Sequence, residues 1–401
     1  MKQFIFHLAF YFITVSVLAQ DTIPRPSIYD EGYFFVGSDD VLKFKGYAQF
    51  DAYFPIGKSP GISEFLIRRA RFVATGFFQK KFRYMLYARF DKGKPELYEA
   101  FLEARHIPFA KIRAGQFKVP FSLSNLQSSS QSDFIGRPFF IENFSPSQDI
   151  GIMMFGEDGK HYMEYAVGLF NGRVLNKKEN NNGKQIIGRL VIAPFKTSKN
   201  IVLSNFYLGS SISNGLQNND YGFLSYNTNN DVPVISFKDS VNQSGRIIAY
   251  NYDLEWYIKN FSAKAEYLHH KAANLKRNTS NYNLISKGYY ISASYLLTGE
   301  NKKRNEVIKP KKEFDPKKGY WGAFEVAARY EKTNISNSIV NSLAKGTDEL
   351  TAITLGTNWY LNDDVRAILN YTFYQFKQPI VVNNLFFSKS NILLLRIQYQ
   401  F

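Results

Sequence analysis

The chain has 401 residues, no cysteine, and 50 Lys and Arg against 34 Asp and Glu, giving a formal net charge of +16. Without cysteine neither a disulfide framework nor a lipid-modified N-terminus can form, and a mean hydropathy of −0.28 excludes a large buried core throughout. The positive surplus implies attraction to anions: phosphate, organic acids, acidic sugars or nucleic acid.

At the N-terminus, Met1-Lys2 precedes an apolar run from Phe4 to Val17, and Val17-Leu18-Ala19 stands before Gln20. A basic start, a short apolar stretch and small or medium residues at the cut predict a secretory signal peptide over 1–19. Residues 20–42 are then an N-terminal periplasmic segment, and 43–401 the folded body. A retained anchor needs about 20 apolar residues with charged flanks; those are missing, and no later stretch is long and apolar enough for a transmembrane helix.

From Lys43 onward the period is two. Phe44, Gly46, Ala48, Phe50, Ala52 and Phe54 alternate with Lys45, Tyr47, Gln49, Asp51 and Tyr53. Further on, Phe82, Tyr84, Leu86, Ala88 and Phe90 alternate with Arg83, Met85, Tyr87, Arg89 and Asp91. Sixteen such runs begin near residues 43, 65, 82, 97, 110, 149, 161, 186, 201, 245, 261, 286, 320, 350, 364 and 391. Amphipathic strands with no helical period between them predict up-and-down antiparallel order, and an even number permits closure into a barrel. The surplus of 37 Phe and 27 Tyr suits the aromatic girdles of such a wall.

Links after even-numbered strands are short, such as Gln79-Lys80-Lys81, Ile107-Pro108-Phe109 and Asn362-Asp363. Links after odd-numbered strands are mostly longer: about 119–148, 172–185, 214–244, 335–349 and 377–390. Short periplasmic turns and long outer loops give this asymmetry in a barrel. Residues 299–319 break the rule as a long periplasmic connection. They carry Lys302, Lys303, Arg304, Lys309, Lys311, Lys312, Lys317 and Lys318 against Glu306, Glu313 and Asp315, which reads as a solvated loop or as a collar attracting anions.

The last strand places Leu393, Leu395, Ile397, Tyr399 and Phe401 on one side and Arg396, Gln398 and Gln400 on the other. An apolar face and a polar face fit a wall between lipid and water. The terminal aromatic resembles the signal by which outer-membrane barrels are recognised for assembly. The same pattern also fits an edge strand of a soluble sandwich, and so an exported β-rich binding protein for acidic glycans or other polyanions. In the fifteenth run, parity puts Leu369 toward lipid and Asn370 toward the lumen, where a substitution is expected to cost little.

Several segments resemble the phosphate-selective porin O and P family of Gram-negative outer membranes. They are Phe65-Leu-Ile-Arg-Arg-Ala-Arg-Phe-Val-Ala-Thr-Gly76, Gly115-Gln-Phe-Lys-Val-Pro-Phe-Ser122 and Gly168-Leu-Phe-Asn-Gly172. Leu297-Thr-Gly-Glu300, Gly322-Ala-Phe-Glu-Val-Ala-Ala-Arg-Tyr330 and Asn358-Trp-Tyr-Leu-Asn362 follow in order. The resemblance implies an all-β transmembrane antiparallel β-barrel of 16 strands, trimeric and anion-favouring, with a loop at about 119–148 that folds inward and constricts the pore. In that loop, Asp133-Phe-Ile-Gly-Arg137 keeps an aromatic and an arginine of the family pattern, with Gly136 where an acid usually precedes the arginine.

Strand parity in runs two to five aims Arg69, Arg71, Arg83, Arg89, Arg105, Lys111 and Arg113 at the lumen, with Asp91, Glu99 and Glu103 as the acids on that face. Rings of Arg or Lys select for anions, and guanidinium groups can hold phosphate oxygens in pairs. Arg137 joins them by its place in the family's loop. Arg68 falls by parity on the lipid side with Leu66, Ala70 and Phe72, at the outer rim, where its head can snorkel to water or lipopolysaccharide phosphate. His106, His161, His269 and His270 remain beyond the signal peptide, and the adjacent pair faces opposite sides of a strand. No Gly-rich phosphate loop, His-Glu-x-x-His run or Gly-x-Ser-x-Gly elbow occurs. The expectation is a non-enzymatic porin without cofactor or metal. Its partners are small anions, outer-membrane lipid and lipopolysaccharide, the barrel-assembly machinery through Phe401, and copies of itself in a homotrimer, with no nucleic acid.

Overall fold

The computed structural model describes residues 33–35, 41–91, 94–172, 175–176, 179–219, 225–238 and 241–401. The expected signal peptide and most of the 20–42 segment lie outside them. Among the described residues sixteen long strands form one antiparallel sheet. They are β1 Val41–Ile56, β2 Glu64–Phe78, β3 Phe82–Arg89, β4 Glu96–Ala104, β5 Lys111–Lys118, β6 Gln148–Glu157, β7 Met163–Phe170 and β8 Gln185–Ile192. Then come β9 Phe206–Asn219, β10 Asn242–Ile258, β11 Phe261–Arg277, β12 Ser280–Leu296, β13 Ala323–Ile335, β14 Glu349–Tyr360, β15 Val365–Val382 and β16 Leu385–Gln400. Each strand pairs with the next, and β16 returns to β1 with Gln398 opposite Gln49, which closes the barrel.

Alternation decides which side faces in. On β16, Leu395, Ile397 and Tyr399 are exposed on the outside, while Arg396 and Gln398 are buried inside. Closure removes the open edges that a soluble sandwich would have to protect, and an apolar outer face gives such a protein no wet surface. Gly46 lets the C-terminal ring in: its N–H donates to the Phe401 carbonyl at 3.0 Å, and a Cβ there would strike the Phe401 ring.

A bulge overturns one expectation. Gln49 on β1 faces Arg69 while Phe50 faces Ile67, so Arg68 is the extra residue on β2. An inserted residue shifts the alternation by one. Leu66 therefore packs inward against the core, Ile67 faces out, and Arg68 turns into the barrel, 4.0 Å from Asp231 rather than at the lipid rim.

One end of the barrel carries most of the short turns, the other most of the long loops. Two links depart from expectation. The 193–205 link at the turn end contains a helix, Ile201–Ser204. At the loop end, 377–390 is no loop: β15 and β16 run on past it and turn at Asn383-Asn384, both with positive φ, the backbone of a two-residue hairpin turn whose twist matches its strands. Over the loop end, Ser225–Asn227, Pro233–Phe237 and Ala344–Gly346 form a small separate sheet. It buries Tyr226, Ile235 and Phe237 in one cluster with Phe139, Phe140 and Phe144 of the 119–147 segment. The apolar core therefore lies inside the barrel, shared between these loops and inward-facing wall residues such as Ile187, Leu268, Leu284 and Leu350.

Candidate functional site

The pore-facing residues fall into two unlike walls. On β11 to β16 they hold the 119–147 segment. Lys264 Nζ donates to Asp133 Oδ2 at 2.9 Å, and Ser124 Oγ donates to Glu266 Oε2 at 2.6 Å. The Phe139 N–H reaches Glu331 at 2.7 Å and the Ile135 N–H reaches Asn370 Oδ1 at 2.6 Å. Arg329, Arg366 and Gln398 donate to the carbonyls of Gly136, Ser132 and Ser130. Asn370 is 0% exposed, so the expectation that it tolerates substitution is corrected: it satisfies a buried backbone donor.

On β2 to β5 the side chains are basic and hold mostly one another's acids. Of the seven basic residues expected from parity, six line the two chambers, and Arg105, one residue past β4, lies against Glu103 and the Phe77 ring. Arg71 pairs with Asp91 at 3.3 Å and lies 4.3 Å over the Tyr98 ring. Arg69 donates to Gln49 Oε1 at 3.0 Å. Arg89 pairs with Glu96. Glu103 gathers Arg83 at 3.8 Å, Arg105 at 3.2 Å and Arg113 at 2.7 Å, and Lys111 lies 3.6 Å from Glu157. Glu96 and Glu157 were not among the acids read from the sequence, so the surplus on this wall is smaller than parity suggested.

Chambers lie on both sides of the 119–147 segment. The one toward the loop end has a volume of about 800 Å³ and is lined by Arg68, Arg69, Arg71, Arg89 and Arg137. The one toward the turn end has about 590 Å³ and includes Arg83, Lys111, Arg113 and Lys118. Lys118 Nζ donates to the carbonyls of Leu126 and Gln127 at 3.2 and 3.1 Å, and among the described residues no carboxylate lies within ion-pair distance of it.

Arg137 finds its acid at Glu142, 3.3 Å away, five residues on rather than next door. Gly136 has φ +90°, and a Cβ there would collide with Asn229. The backbone forbids an acid at 136, and the ion pair is rebuilt from the following helix, Phe139–Phe144. The Glu142 carboxyl is held below the usual carboxylate range: burial pushes it up, but Arg137 and Arg69 outweigh this.

The long link at the turn end splits into two parts. Lys303, Lys309, Lys312 and Lys318 stay exposed, whereas Lys302 and Arg304 reach into the barrel. Lys302 Nζ donates to Asp133 Oδ1 and Ser294 Oγ, both at 2.7 Å, and pairs with Glu325. Arg304 bridges Glu164 at 2.5 Å and Glu255 at 2.8 Å. A carboxylate between two ammonium groups titrates abnormally. Burial raises the Asp133 carboxyl, but Lys264 and Lys302 more than reverse that and hold it well below the ordinary range.

The model of the family described as "Phosphate-selective porin O and P" matches residues 44–401. The chain belongs to this family. Porin O of Pseudomonas aeruginosa is 32% identical over 151 residues, which is 36% of this chain and 33% of that protein; the match therefore spans about a third of its relative. Among solved structures, the outer-membrane channel DcaP of Acinetobacter baumannii has a TM-score of 0.57 at 8% identity, covering 92% of this chain and 99% of that one. The trimer form of OmpT from Vibrio cholerae gives 0.57 at 10% identity over 91% and 100% of the two chains. Salmonella typhi OmpF in complex with daunomycin gives 0.57 at 12% over 92% and 100%. These likenesses speak for the fold.

Within this porin, sequence reading missed Lys118, Arg189, Lys264, Lys302, Arg304 and Arg366 as lining residues of the turn-end chamber. Lys118 stood inside the quoted Gly115–Ser122 segment, and parity on β8, β11 and β15 would have found Arg189, Lys264 and Arg366. Nothing in a link marks Lys302 and Arg304 as inward.

Proposed function

We propose that the chain is an outer-membrane porin through which small anions, phosphate or polyphosphate among them, diffuse passively. The observation that carries this reading is the arrangement of cations on both sides of the 119–147 segment: Arg69, Arg71 and Arg137 line one chamber and Lys118 the other. In this reading the segment is the constriction loop. It is fastened over β11 to β16, so the passage runs along β2 to β5. Arg83, Arg89, Arg105, Lys111 and Arg113 extend the basic path to either mouth. Family membership supports a channel rather than an enzyme. Residues 1–19 are the cleaved signal peptide, 20–42 a periplasmic segment, the turn end faces the periplasm, and three copies assemble in contact with lipid and lipopolysaccharide. Phe401, paired to Gly46, is the contact for the barrel-assembly machinery, and deleting it is expected to leave precursor in the periplasm.

The test is reversal potential in planar bilayers with potassium chloride gradients, followed by titration with phosphate. Replacing Arg69 and Arg71 together by Glu reverses charge where screening is incomplete and is expected to abolish the preference for chloride over potassium. An unchanged reversal potential would place selectivity elsewhere. A channel that passes chloride and ignores phosphate would discard phosphate as a substrate and keep the anion porin.

A further inference from the structure

The turn-end chamber is not built like a path for a hydrated inorganic ion. Its lining mixes the cations already named with Met85, Phe101, Met153 and Phe155 of the barrel wall. Two apolar side chains outside the barrel wall face its space: Leu126 of the 119–147 segment, 36% exposed, and Val307 of the 297–322 link, 39% exposed. Apolar surface offered to water inside a channel weakens hydration without giving a phosphate ion anything in return. A volume of about 590 Å³, lined by apolar side chains among charges that are mostly paired with one another, suits a small-molecule site.

The charges point the same way. Arg113 is committed to Glu103 and lies 4.3 Å over the Phe101 ring and 4.9 Å over Phe155, so it braces the aromatic patch more than it offers itself to a ligand. Arg304 and Lys302 are neutralised by Glu164, Glu255, Asp133 and Glu325. Lys118 and Arg366 are the exceptions: Lys118 Nζ is held by two carbonyls and Arg366 by the Ser132 carbonyl, and among the described residues neither has a carboxylate within ion-pair distance. Cations without an acid beside an apolar surface favour a ligand with an anionic head and an apolar body.

We propose that this chamber is a binding site for small organic anions, a carboxylate or phosphate head on an aromatic or alkyl body, held at Lys118 with the body against Leu126, Val307 and the Met85–Phe101–Met153–Phe155 surface. The proposal deepens the anion-porin reading by naming the class of anion that lingers in the pore. It accounts for the 297–322 link, whose Val307 supplies part of the lower wall while Lys302 and Arg304 fix its position.

Benzoate, acetate and neutral benzamide separate the contributions. Wild-type channels in planar bilayers carry chloride current while each compound is added, and calorimetric titration of detergent-solubilised protein reads binding apart from conduction. Benzoate is expected to reduce current, and to bind, at a concentration at least roughly tenfold lower than acetate, because only its ring buries apolar surface; benzamide is expected to do neither. Val307→Ser should draw benzoate toward acetate without changing acetate, and Lys118→Gln should weaken both acids. Equal action of benzoate and acetate on wild type, or a benzoate preference unmoved by Val307→Ser, would overturn the site while leaving an anion porin in place. Absence of any conductance would instead overturn the porin reading, and the calorimetric ratio would then decide the site by itself.

Discussion

The two sides of this barrel use charge in opposite ways. On β11 to β16, Lys264, Glu266, Arg329, Glu331 and Arg366 are engaged with the 119–147 segment. On β2 to β5, Arg69 and Arg71 line a chamber while bonded to Gln49 and Asp91 of the wall rather than to the 119–147 segment. A formal surplus of +16 therefore says little about selectivity. What counts is which cations face water and which are consumed in holding a loop still, because a buried pair has no field left to offer a passing ion.

The comparison breaks most readily at Asp133. Its replacement by Ala strips Lys264 of its acid and Lys302 of one of two, which is expected to cost about 3–5 kcal/mol for an uncompensated buried charge. Urea unfolding in lipid vesicles measures the loss, and single-channel conductance should rise as the segment loosens. Leu369→Arg, on the outer face of the anchoring side and 41% exposed, is expected to cost about 2–4 kcal/mol by placing a charge in lipid. One residue away, Asn370→Ala should cost about 1–3 kcal/mol by orphaning the Ile135 N–H; the same unfolding assay ranks the two. Arg69→Gln, on the open side, should leave the unfolding midpoint nearly unchanged and lower the chloride preference read from reversal potential. The smallest expected effect is that of pH. A carboxyl held below its unfolded value contributes stability that is complete above about pH 4 and is lost only as pH falls through the lower, folded value. The difference in unfolding free energy between wild type and Asp133→Asn should thus stay level from pH 8 to 5, and a difference that changes in that window would remove Asp133 from the anchoring role.

How much of this was readable in advance follows the range of the interactions. The sixteen strands were legible because alternation is local, and each run needs only its own residues to declare its faces. Parity also matches the six basic residues of β2 to β5 that line the chambers. It failed at Arg68, where a bulge set by the neighbouring strand shifts the alternation, a pairing the β2 sequence does not contain. The 377–390 stretch read as a loop because Lys377, Gln378, Pro379, Asn383 and Asn384 break the apolar pattern; the hairpin persists by resting on the sheet of loops. The anchoring side was illegible for a different reason. Its partners lie far apart in the chain, such as Ile135 with Asn370 and Asp133 with Lys302, and side-chain type alone does not choose among them.

The fastening of Asp133 also makes the segment depend on parts of the chain far beyond it. The residue is carried between the fifth and sixth strands, but Lys264 belongs to the eleventh and Lys302 arrives between the twelfth and thirteenth. A barrel shortened after its tenth strand would leave the segment without its locks, and its aromatic residues without Tyr290 and Ile335 to cover them. The seat of the segment is thus complete only when the whole ring is present, so damage to a late strand would be felt in an early loop.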